Sequence, residues 1–137
     1  MKKTAYWFRT DPKTGYGIVE EVALEANHEL PGRLKIVERA PGSLLERHNP
    51  PKDEVHIVTV ECGVLTVSYR TADGEKEVHI GENWEVGSAI FEDHEPANAE
   101  HVTRSGHSSI ADESGALLQV FKVKTTELPL PLRHKRQ

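Results

Sequence analysis

The chain has 137 residues, with 17 Lys+Arg against 22 Asp+Glu for a formal charge of -5, eight His and a single Cys. That length suits one domain built on one core, and one thiol excludes both a disulfide framework and a thiolate-rich metal site, as expected of a cytoplasmic protein. The acidic balance speaks against nucleic acid as a principal partner, and no apolar run reaches the roughly 20 residues of a membrane span.

In chain order, Met1 to Arg9 begins with the positive residues of a secretion signal, but its apolar stretch ends at Arg9 and Asp11-Pro12. Gly17 to Leu24 and Arg33 to Arg39 are runs with β-branched residues, predicted as strands on either side of the turn-forming Asn27 to Gly32. Pro41-Gly42 and Asn49-Pro50-Pro51 punctuate the next stretch. Val55 to Val60 and Val64 to Tyr69, rich in Val, Ile, Thr and Tyr, are predicted to pair with each other through Glu61-Cys62-Gly63, with Cys62 as a small buried residue. Ala72-Asp73-Gly74-Glu75 reads as a hairpin turn into Glu77 to Ile80, because Asp-Gly tolerates positive φ. Breaks at Gly81-Glu82-Asn83 and Gly87 lead to a short strand, Ser88 to Phe91, and then a polar loop, Glu92 to Glu100. His101 to Arg104 and Ala116 to Val123 complete the set, ahead of the Pro-broken Leu128 to Leu132 and a basic run, Arg133 to Arg136, expected to be a solvated tail. Short strands at intervals of about ten residues, with no helical period, predict a β-sandwich or barrel.

Alternation within the strand starting at Glu54 puts Glu54, His56, Val58 and Val60 on one face and Val55, Ile57 and Thr59 on the other. Both faces are apolar enough to be buried. A carboxylate and an imidazole on one inward face are costly unless they bind each other or a ligand, so Glu54 and His56 are the candidate acid–base pair. Tyr69 and Gln119 are candidate inward pocket residues, and Trp84 is a candidate wall near the barrel mouth. His28, His107 and His134 fall in loops or the tail and His79 on an outer face. These four need no functional account.

Gly42, His48, Glu54 and Gly63 follow a spacing that resembles the first motif of the cupin family, G-x5-H-x-H-x3-4-E-x6-G, with the last glycine two places late. Pro96 to His101 is similar to the second motif, P-x-G-x2-H-x3-N, with Asn98 in place of glycine. His94 and Asn98 also satisfy H-x3-N, so His94 competes with His101 as the second-motif histidine. The resemblance spans Leu34 to Val123. It implies an all-β fold, a cupin-type jelly-roll barrel in a single domain of residues 1–137, with a core at about 34–123, an N-terminal strand and a C-terminal tail. It also implies a homodimer and a small-molecule substrate. His48, Glu54 and His101 would be the ligands of a divalent metal ion, and a nitrogen and oxygen set of that kind suits iron, manganese, nickel or zinc. The implied activity is that of a small enzyme acting on an oxygenated molecule, dioxygenase-, isomerase- or lyase-like.

Pro50 stands where the family has the second histidine of H-x-H, so one ligand is missing unless His56 replaces it. That departure keeps two alternatives open. One is a metal-free binding or sensing module for a small acid or sugar; the other is a metal-independent isomerase or lyase using His56 and Glu54.

Overall fold

The computed structural model describes residues 3–24, 33–81 and 83–127. The predicted turn at 27–32, Glu82, His28, His134, the Pro-broken segment and the basic run lie outside the described residues. Eight strands occur among them: β1 (Lys3–Thr10), β2 (Gly17–Leu24), β3 (Arg33–Arg39), β4 (Leu44–His48), β5 (Glu54–Thr71), β6 (Gly74–Gly81), β7 (Ser88–Glu92) and β8 (His107–Lys124). Short 3-10 turns cover Ala99–His101 and Thr125–Glu127. No described helix is long and apolar enough to cross a membrane.

Two long strands organise everything else. β5 and β8 each run for 18 residues and pair antiparallel with each other along most of their length. Their pairing is interrupted near Cys62 and Gly63, where the register shifts. Gly63 adopts φ 82°, and a Cβ there would lie 2.0 Å from the Gly115 carbonyl oxygen, so only glycine permits this approach. The interruption divides the one eight-stranded sheet into two halves, a first and a second sheet joined through β5 and β8. The first sheet holds β2, β1, β7, the start of β5, the end of β8 and β3; the second holds β6, the end of β5, the start of β8 and β4.

This arrangement corrects one expectation. Val55 to Val60 and Val64 to Tyr69 do not pair with each other but belong to one continuous strand, because Glu61-Cys62-Gly63 bulges rather than reversing the chain. Cys62 is exposed there, not buried. The Ala72-Asp73 hairpin is present, with Thr71 opposite Gly74 and the positive φ on Gly74, not on Asp73.

The main core lies between the sheets. Phe8, Val58, Val60, Ala89, Phe91 and Leu118 from the first sheet meet Leu65, Val67, Ile80 and Ala111 from the second. The opposite face of the first sheet is buried as well, through Trp7, Val55, Ile57, Ile90 and Val123. Both predicted faces of the strand from Glu54 are therefore apolar and buried. Trp7 satisfies its indole N–H by donating to Glu92 Oε1 at 3.0 Å.

Candidate functional site

Strand register brings the chemistry to one end of the inner space. On the second sheet, Tyr69 and His48 stand opposite His107 on its two neighbouring strands, so the three side chains form one cross-strand row. On the first sheet, Phe8 and His56 flank Phe91 in the same way. The rows touch: the His107 ring stacks on Phe91 at 3.8 Å between centroids, and Tyr69 meets Phe8 edge-on at 5.5 Å. His48 lies 4.6 Å from His107, ring centre to ring centre.

His107 Nδ1–H donates to Asp93 Oδ2 at 2.7 Å, and the two side chains are only 6% and 3% exposed. Asp93 Oδ1 is buried and has no hydrogen-bond partner among the described residues. The Asp93 backbone is held in turn. Asn49 donates from Nδ2 to the Asp93 carbonyl and to Ser105 Oγ, and Thr10 and Ser105 donate to the His94 carbonyl. Arg47 and Arg70 both donate to the Thr103 carbonyl, which ties down the connection leading into β8. Gly106, at φ 93°, completes that entry, because a Cβ there would lie 2.8 Å from the His48 carbonyl oxygen. His48 Nδ1–H donates to the Glu46 carbonyl at 3.0 Å. In their neutral forms both His48 and His107 therefore keep Nε2 as the ring's remaining acceptor.

A second imidazole–carboxylate pair lies further along the first sheet, where His56 Nε2 meets Glu54 Oε1 at 3.3 Å. Burial lowers the His56 pKa from its usual value. Glu54 pulls it back up, while Lys122 and His107 push it further down.

The predicted site residues are only partly gathered. Glu54 and His56 meet as expected, and Tyr69 lines the inner space, where burial and Tyr6 raise its pKa. Gln119 alternates with Leu118 and Val120, both packed in the inner core, so it belongs to the opposite face. Trp84 is half exposed and packs at a tilt against His79 outside the second sheet, 4.8 Å between ring centres. His101 ends a 3-10 turn and packs on Gly15 rather than opening a strand. His94 Nε2–H is committed to the Glu54 carbonyl at 2.6 Å.

Among the described residues, no group of three or more His, Cys, Asp or Glu is placed to hold a metal ion. His48, Glu54 and His101 are not brought together, because register places His107 beside His48 and leaves His101 on the β1–β2 turn. The described residues thus do not fit the implied divalent ion.

His107 and Asp93 are the residues that the sequence did not reveal. His107 opens β8 and is buried, not a solvated loop residue. The available signal was the alternation of His107, Ser109 and Ala111, all buried, which extends the Ala116 to Val123 strand towards the N-terminus.

No protein-family model matches the chain, and no curated protein matches it. Among solved structures, the cupin domain of Schizosaccharomyces pombe Cnp3 is similar at a TM-score of 0.47 and 14% identity, over 98% of this chain and 88% of that one. The described fold is all-β.

Proposed function

We propose that the protein is a small-molecule-binding cupin-like domain that takes a hydroxylated ligand, a sugar or hydroxy acid, directly on His48 and His107 without an intervening metal ion. The observation behind this reading is the buried Asp93–His107 pair. An acceptor fixed at 2.7 Å on Nδ1 sets the tautomer of His107, so that Nε2 is left for a ligand hydroxyl. His48, tied by its own Nδ1–H, adds a second acceptor beside it. Phe8, Phe91 and Tyr69 supply the apolar and aromatic walls that small-molecule sites use.

The test is an NMR titration of the histidine ring signals with a panel of pentoses, hexoses and hydroxy dicarboxylates. The expected result is saturable movement of the His48 and His107 signals with at least one compound, weakened about tenfold or more in His107→Ala. A panel that leaves both rings unmoved overturns the reading.

A second reading, a metal-independent isomerase or lyase, is favoured by the Glu54–His56 contact of 3.3 Å, since burial lowers the His56 pKa and so favours the neutral ring that accepts a proton. Its signature is deuterium uptake from D2O into a panel compound that disappears in His56→Ala. Uptake that persists in His56→Ala counts against it.

A further inference from the structure

The inner face of the first sheet changes character where it leaves the core. Val120 and Val37 pack against the apolar cluster, but the next inward positions on β8 are Lys122 and Lys124, and on β3 Lys35 lies opposite Val120. His56 stands opposite Lys122 and Glu54 opposite Lys124. A cavity of about 560 Å³ opens at this end, lined by Leu34, Lys35, Asp53, Glu54, Lys122 and Lys124. None of the three lysines forms an ion pair with a described side chain. In a chain with a net charge of -5, three ammonium groups facing only the carboxylates of Asp53 and Glu54 leave this lining with a formal charge of +1.

We infer that this cavity is a binding site for the phosphate group of a small hydroxylated molecule. A phosphate monoester brings three acceptor oxygens, one for each ammonium group, where a carboxylate brings two. Asp53 and Glu54 are acceptors on the same wall, suited to hydroxyl groups on the rest of the ligand. The volume is that of a small-molecule site, typically about 300–1,000 Å³. A nucleic-acid strand would instead meet the acidic remainder of the surface. The inference rests on the cavity residues alone and does not require the His48–His107 reading.

The test is an NMR titration of the full chain with ribose 5-phosphate, inorganic phosphate, ribose and a short RNA oligomer. Ribose 5-phosphate and inorganic phosphate are expected to move the backbone amide signals of Lys35, Asp53, Glu54, Lys122 and Lys124. Ribose 5-phosphate should bind more tightly than inorganic phosphate, ribose should have no effect, and added salt should weaken the response. Lys122→Gln should lower the affinity about fivefold, as loss of one exposed charged contact does. Lys35→Gln/Lys122→Gln/Lys124→Gln should abolish binding, and circular dichroism should show that this variant remains folded, because all three side chains are exposed. His107→Ala should leave phosphate binding unchanged, which separates this site from the one above. Equal binding of ribose, an unaltered response in the triple variant, or tighter binding of the RNA oligomer overturns the inference.

Discussion

Two of the imidazole–carboxylate pairs among the described residues show how burial separates similar chemistries. Asp93 and His107 meet at 2.7 Å with side chains 3% and 6% exposed, while Glu54 and His56 meet at 3.3 Å with 31% and 19% exposed. The first pair joins the end of β7 to the start of β8 and is braced by Asn49, Ser105 and Thr10. The second joins neighbours within β5 and borders an open cavity. The buried pair has the character of a structural and orienting element, while the outer pair is open to solvent.

The largest expected effect is on the buried pair. Asp93→Ala leaves the His107 N–H buried without an acceptor and should cost about 3 kcal/mol in urea-denaturation stability. If that variant is no less stable than Glu54→Ala, the contrast between the pairs collapses. Asp93→Asn retains an amide oxygen as acceptor but loses the charge, with an expected cost of about 1–2 kcal/mol. Its sharper readout is the nitrogen chemical shift of His107, which reports whether Nδ1 still carries the proton.

The smallest effects belong to the outer pair. Glu54→Gln should change stability by no more than about 0.5 kcal/mol, since partly solvated pairs contribute little. For His56 the effect has a sign. Its pKa in the folded chain lies below the usual 6.5, chiefly through burial, so the unfolded chain binds the proton more readily. Stability should therefore begin to fall as pH drops through 6.5, with the full cost reached below the folded value and none above 6.5. Thermal melts of His56→Gln between neutral and mildly acid pH should show a flatter decline than the parent chain. An identical decline would mean that burial does not govern this imidazole.

Much of the β-structure was legible because its signals are local. Gly17–Leu24 and Arg33–Arg39 form strands with the predicted bounds, and β-branched density together with Gly and Pro breaks marks both. The first half of β8 was not legible. His107 reads as a loop residue and the last predicted strand begins only at Ala116, yet pairing with β4 and β5 draws the segment from His107 into the second sheet. Gln119 and Trp84 also fall elsewhere than expected: Leu118 and Val120 take the inner face on either side of Gln119, and Trp84 lies in the connection between β6 and β7, where strand alternation does not apply.

What the sequence determined by itself was the alternation within strands, and with it the inward pairing of Glu54 and His56, because side-chain parity depends only on neighbouring residues. Which histidine faces His48 was decided by tertiary structure. His107 and Asp93 are 14 residues apart, and His48 and His107 belong to strands separated by three others in the chain. Only the register of β8 against β4 and β5 brings them together. The physical reason is that hydrogen-bond register is set by packing of the whole sheet, with Gly63 and Gly106 permitting the close backbone approaches that fix it.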